Sequence, residues 1–311
     1  MKRLYSVSTL FLLLAGLMLS VASCVRPDLS ECPRENVRIT VKTLPEASRA
    51  AFDRYDIQNV TIYVFDEQDR FVTAWQGGSY TPYHTYQAAF TLEPGNYHFV
   101  AWTNQGKTYT TNYSLDECHT DTPRKDEMRL YMACPENYCI TDDIPDLHHG
   151  ELSGQIVVEN TTHEYTIILI PNTYQLNFTV RGIPANTSRY SFSVRDNNSH
   201  YRFDRSILAG QPEFEHLRLR NFEDGNLTAS MKVLQLNETR SPAFAFDDLT
   251  EHEYNYANCL VSMIKKAYTA NEQSVDFSTT FDFDIVITFQ ANSDVNIAVN
   301  GWSYVENNTE L

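Results

Sequence analysis

The feature that most constrains this chain is a hydrophobic period of two. Val37, Ile39 and Val41 alternate with polar neighbours, as do Val60, Ile62 and Val64. Leu176, Phe178 and Val180 repeat the pattern, and Phe281, Phe283, Ile285, Ile287 and Phe289 extend it. Successive side chains of a strand point to opposite faces, so this alternation specifies strands with one buried face. Turn signals separate the runs: Gly77-Gly78, Pro94-Gly95-Asn96, Asp196-Asn197-Asn198 and Asp224-Gly225-Asn226. Many half-buried strands joined by turns predict an all-β chain of antiparallel β-sandwiches and exclude a parallel α/β sheet.

Helical spacing is rare by comparison. Leu260, Ile264 and Ala267 share one helical face, which predicts a short helix over Tyr254–Tyr268 in the second half. A second short helix is expected near Glu46–Arg54. Both read as packing elements without chemistry.

The strands also repeat as a set. Ile39-Thr40-Val41-Lys42-Thr43-Leu44-Pro45 matches Phe178-Thr179-Val180-Arg181-Gly182-Ile183-Pro184. Val60–Asp66 matches Tyr190–Asp196, and Gly95-Asn96-Tyr97 matches Gly225-Asn226-Leu227, both at an offset of 130 residues. The preserved order predicts two tandem β-domains. Pro171, between two apolar strands, is the natural boundary, giving domains 34–171 and 172–311.

The N-terminus carries an address. Lys2 and Arg3 precede an apolar run from Leu10 to Val21. At about a dozen residues the run is too short to span a bilayer, which takes roughly 20. It has the length of a signal-peptide core followed by small residues. Val21-Ala22-Ser23-Cys24 resembles the bacterial lipobox, which implies cleavage after residue 23 and lipid on the thiol of Cys24. Residues 24–33 then form a lipidated tether. Two acyl chains on one cysteine suffice for stable anchoring. No other segment has the composition of a membrane span. Removing Lys2 and Arg3 takes the formal charge from −16 to −18. A surface this acidic excludes nucleic acid as a partner, because phosphates need basic patches.

Candidate chemistry is sparse. There is no nucleophile elbow, no phosphate loop and no His-Glu-x-x-His, so no catalytic, cofactor or metal site is expected. His148-His149 would point to opposite faces of a strand and make a poor shared metal site. Five cysteines remain besides Cys24, and export permits disulfides. Cys134 and Cys139 could close a small loop, with Cys118 and Cys32 as other candidates. Cys259 reads as a buried thiol in the helical pattern. Asp142-Asp143 and Asp247-Asp248 are expected in solvated loops. Trp75, Tyr80, Tyr83 and Tyr86 cluster around Gly77-Gly78. They could pack on the sheet or stack on a sugar, and the second option makes a surface glycan-binding lipoprotein the alternative function.

Several stretches together resemble a family. Asp28-Leu29 and Cys32-Pro33 follow the lipidated cysteine. Val60–Phe71 runs into Val-Phe-Asp and a polar turn. Leu92–Trp102 follows a Pro-Gly turn, His149-Gly150-Glu151-Leu152 precedes Tyr165–Pro171, and Ile297–Trp302 reads as the closing strand. In this order they resemble the fimbrillin anchor subunits of Bacteroidetes-type (type V) fimbriae, over nearly the whole mature chain. The resemblance implies two transthyretin-like sandwiches. It implies a lipid-anchored, non-enzymatic subunit that attaches a fimbrial shaft to the outer membrane and ends its growth. Its partners would be shaft subunits, joined by strand addition, and outer-membrane lipid. Val295–Val305 is expected to stay in its own domain as a strand, with a tail too short and polar to act as a donor strand.

Overall fold

The computed structural model describes residues 35–43, 56–77, 86–159, 161–223, 225–291 and 294–307. The helix expected near Glu46–Arg54 lies outside the described residues, as does Cys24.

Among the described residues the chain is all-β but for two short helices. The first half runs β1 (Val37–Thr43), β2 (Val60–Phe65), β3 (Phe71–Gly77), β4 (Gln87–Phe90), β5 (Gly95–Thr103) and β6 (Tyr109–Thr111). It continues with α1 (Leu115–Asp121), β7 (Arg129–Met132), β8 (Cys139–Ile140), β9 (His148–Val157) and β10 (His163–Pro171). The second half runs β11 (Thr173–Arg181), β12 (Tyr190–Asp196), β13 (His200–Arg202), β14 (Phe214–Arg220) and β15 (Leu227–Leu234). It continues with β16 (Ala243–Asp248), β17 (Asn255–Cys259), α2 (Leu260–Thr269), β18 (Asp282–Phe289), β19 (Asp294–Val299) and β20 (Trp302–Asn307).

Period two places the core. In the first half one seven-stranded sheet, ordered β3-β2-β5-β9-β10-β1-β4, turns Val37, Ile39, Val41, Ile62, Val64, Phe99, Ile167 and Leu169 into a single cluster. Residues from strands at both ends of the sheet meet there, so the sheet rolls around its own apolar face. In the second half two five-stranded sheets, β15-β11-β18-β19-β20 and β17-β16-β12-β14-β8, face each other. Between them lie Phe178, Phe192, Phe244, Phe246, Ile285 and Ile297, with α2 filling one side.

Of the repeated segments, β1 and β11 hold like positions in their sheets, whereas β5 pairs with β2 and β9 and β15 pairs with β11. β1 lies between an antiparallel neighbour, β4, and a parallel one, β10. β11 likewise lies between antiparallel β15 and parallel β18. The sheets are therefore mixed, where alternation alone had suggested antiparallel pairing throughout. Period two reports a buried face, and parallel and antiparallel neighbours satisfy it equally.

A third cluster joins the halves. β2 is buried on both faces: Val60, Ile62 and Val64 point to the first core, while Tyr63 and Phe65 point away from it. Phe203 of the second half inserts its ring 4.9 Å from Tyr63 and 6.1 Å from Phe65. Tyr201 lies 6.0 Å from Trp102. The halves also exchange short strands. β8 pairs in parallel with β14 of the second half, and β13 pairs antiparallel with β7 of the first. Asn36–Leu311 thus clusters as one compact unit.

Three local expectations change. The helix begins at Leu260, not Tyr254, because Asn255–Cys259 pairs with β16 as a strand. Cys259 is the helix N-cap and its sulfur accepts from Ser262 N–H at 3.4 Å. Val295–Val305 is a hairpin, since Asn300 and Gly301 turn the chain with φ of 50° and 88°. Asn-Gly is the strongest short hairpin signal in any sequence, and it stands in plain view here. Finally, α1 was not anticipated. Its signal was Ser114-x-x-Glu117, a capping box in which Ser114 Oγ accepts from Glu117 N–H and Glu117 accepts from Ser114 N–H.

Gly182 closes β11 with φ of 80°, and a Cβ there would stand 2.0 Å from the carbonyl oxygen of Phe289. No side chain fits without moving β18. Gly182→Ala is expected to cost more than about 2 kcal/mol, read as a fall in thermal midpoint. An unchanged midpoint would mean that the strand end shifts freely.

Candidate functional site

His148 and His149 open β9 at the junction of the halves, and both are buried. Alternation turns them apart, as expected. His149 Nε2 lies 3.0 Å from Phe203 O, with its ring 4.6 Å from Trp102. His148 sits among Asp146, Lys232 and Arg205. Burial pushes both imidazoles down to about 4. His216, on β14, is pushed down to about 3 by burial and then by Arg218. These are neutral packing groups. No cluster of metal-ligating side chains occurs among the described residues.

The cysteines and carboxylates likewise serve the fold. Cys134 and Cys139 are free thiols in this structure. Cys134 lies against Ser199 and Cys139 beside Glu215. Cys118 is buried, with its thiol pushed up to about 11 by desolvation. Asp143 binds Arg218, whose guanidinium is nearly buried and also donates to Thr141 O and Ser230 O. Asp248 is not solvated: it is buried at the end of β16 and accepts from Thr250 and Glu251 N–H. Its role is to fix the turn.

Of the aromatic cluster, Tyr80 and Tyr83 lie outside the described residues. Tyr86 is buried in the first core, and Trp75 packs against that core from the sheet. Tyr86 is thereby withdrawn from the surface, while Trp75 stays half-buried.

The most elaborate built feature near the surface is the C-terminal hairpin. β19 buries Val295, Ile297 and Val299 in the second core. β20 pairs with it over its full length, from Asp294↔Asn307 to Val299↔Trp302. Side chains then lock β20 to the opposite sheet and to α2. Glu306 accepts from Tyr256 OH at 2.9 Å, Asn258 Nδ2 at 2.9 Å and Lys266 Nζ at 2.7 Å. These three donors hold its carboxyl below the usual range, against the opposing pull of desolvation. Lys266 also sits 5.9 Å above the ring of Tyr304. The hairpin is thus integral to its own sandwich.

No helix among the described residues is long and apolar enough to cross a membrane. The family profile of the fimbrillin-A associated anchor proteins Mfa1 and Mfa2 matches residues 29–308. No curated protein matches the sequence significantly. A Bacteroides thetaiotaomicron protein described as a candidate polysaccharide binding protein superposes with a TM-score of 0.68 at 17% identity, covering 88% of this chain and all of its own. A candidate adhesin from the same species gives 0.65 at 16% identity, over 86% and 96%. The fimbrial anchor protein Mfa2 from Porphyromonas gingivalis gives 0.60 at 15% identity, over 86% and 98%.

Proposed function

The chain belongs to the family of fimbrillin-A associated anchor proteins, and from that premise we propose that it is the lipid-held base of a fimbrial shaft. The family is one of fimbrial structural proteins at the cell surface, not of enzymes. The finer reading has three parts. Lipid on Cys24 holds the chain in the outer membrane. A shaft subunit joins it by strand addition, in which backbone groups of an added strand pair with a sheet and alternate side chains find pockets. The joint terminates growth, because this subunit does not pass a strand onward.

The observation that carries the last part is the locked hairpin. A strand given to a neighbour must leave its own sheet. Here that would strip Val295, Ile297 and Val299 from the core and break three charge-assisted or hydroxyl contacts at Glu306. Each aliphatic side chain alone contributes about 1.5–3 kcal/mol on burial. The hairpin therefore favours staying home.

The test is made in the producing bacterium. The intact mass of the mature protein is expected to begin at an acylated Cys24. Cys24→Ala should move the protein from the membrane to the soluble fraction, and fimbriae should be shed. An unmodified N-terminus, or a Cys24→Ala protein that stays membrane-bound and keeps its fimbriae, overturns the reading.

A further inference from the structure

Strand addition requires an open sheet edge, and the edges of this molecule differ sharply. The free side of β15 is bridged by Arg218, which reaches Ser230 O from β14. β3 is met at its start by Pro123 and by α1. β13 is covered by its own hairpin, where Ser206 O and Leu208 N–H bond back to Arg202 and His200. β8, β6 and β4 are two, three and four residues long. β17 runs directly into α2.

β20 is different. It is the last strand of its sheet, six residues long, and no described strand pairs with its outer side. One side-chain donor reaches it there, Asn271 Nδ2 to Ser303 O at 2.9 Å. It carries no Pro, no Lys and no bulge, and the helix beside it, α2, meets it through side chains, with Lys266 on Glu306 and Tyr268 6.4 Å from Trp302. Trp302 is 38% and Val305 58% exposed. The outer sheet face behind the edge carries two uncharged cross-strand rows, Val286, Ala298 and Ser303, then Thr288, Asn296 and Val305, flanked by Asp284 and Asp294. The latch at Glu306 holds the strand fixed, so an incoming strand would meet a preorganised template.

We propose that the outer edge of β20 is the docking strand for an extended segment of a fimbrial partner. That segment is neutral or basic, with apolar side chains at alternate positions that cover Trp302 on one face and Val305 on the other. This rests on the anchor reading above and adds the location and chemistry of the joint. Charge selects the occupant. A second copy of a chain with formal charge −16 is repelled, whereas a neutral or basic strand is not. The only carboxylate on the strand, Glu306, is already matched by Lys266.

The experiment immobilises the purified mature protein and measures binding of fimbriae shed by cells that lack it. Val305→Lys and Ser303→Lys place charge on the edge without touching the core. Ile156→Lys is the control, on β9 and 65% exposed. The two edge variants are expected to lose at least tenfold in binding with unchanged thermal midpoints, and the control to bind like wild type. Equal binding by wild type and both edge variants overturns the edge while leaving the anchor reading intact. No binding by the wild type overturns both. Wild type that elutes as a dimer and becomes a monomer on Val305→Lys replaces the partner strand by a second copy and overturns the proposal.

Discussion

Acidification from pH 6.5 to 4 is expected to destabilise this protein by several kcal/mol, before most carboxylates protonate. The cause is three buried imidazoles. His148 and His149 have pKa values pushed down to about 4, and His216 to about 3, in each case chiefly by burial. Unfolding returns them to about 6.5. Between the folded and unfolded values the unfolded chain binds more protons, so stability falls as pH falls. The contribution is complete above about pH 6.5 and is lost as pH drops toward 4. Down to pH 4 each imidazole accounts for about 3 kcal/mol as an upper bound, with a further loss from His216 toward pH 3, against a typical total of about 5–15 kcal/mol. The groups facing them do not cancel the effect. Asp146 favours protonation of His148, but Lys232 and Arg205 oppose it. Arg218 opposes it at His216, with Asp143 on the other side.

Thermal midpoints across pH 4–7 check this, and a flat profile would sink it. His216→Leu sharpens the test. Neither nitrogen of His216 has a hydrogen-bond partner among the described residues, and its ring packs 5.3 Å from Phe214. An apolar side chain of similar size should keep or raise stability at pH 7 and flatten the slope by about a third. His148 and His149 lie where the halves meet. We therefore also expect limited proteolysis at pH 4.5 to cut near Pro171 and release the two domains, 34–171 and 172–311, proposed from the repeat. Cleavage scattered through both halves would speak against that division.

Much of the second half could be read directly. Phe281, Phe283, Ile285, Ile287 and Phe289 alternate without interruption, and β18 and its core face follow from them. Alternation says nothing about the other side of a strand. Tyr63 and Phe65 sit at the polar phase of β2, and tertiary partners make them buried, among them Phe71 and, from the second half, Phe203. His216, Arg218 and Asp248 were invisible for the same reason: their burial depends on the opposite half or on a turn, not on local pattern. The exchange of β8 and β13 between halves could not be anticipated, since two- and three-residue strands carry no period. α1 and the Asn300-Gly301 turn belong to another class. Their signals are short and specific, and are outweighed only when a segment is scanned for period alone.

The largest effect is expected from truncation at the C-terminal hairpin, where fold and function meet. Removing residues 308–311 should change nothing, because β20 and its latch are complete at Asn307. Removing everything from Val295 onward takes out Val295, Ile297 and Val299, all fully buried. Their transfer terms alone sum to about 5–9 kcal/mol, near the whole stability of a typical domain. The cut also leaves β18, a strand rich in Phe and Ile, as a bare sheet edge. The second sandwich should unfold and aggregate, seen as loss of near-ultraviolet dichroism from the stacked Phe178 and Phe244 environment. An intermediate variant separates fold from latch. Glu306→Gln keeps the ladder and the core, weakens the contact to Lys266, and should cost about 1–2 kcal/mol. Its amide exchange should quicken along β20 and not along β19. If the Val295 truncation instead keeps a folded second half and still holds fimbriae, the hairpin is dispensable. The proposed termination of growth would then have to rest on the first half, where β1 lies between β4 and β10.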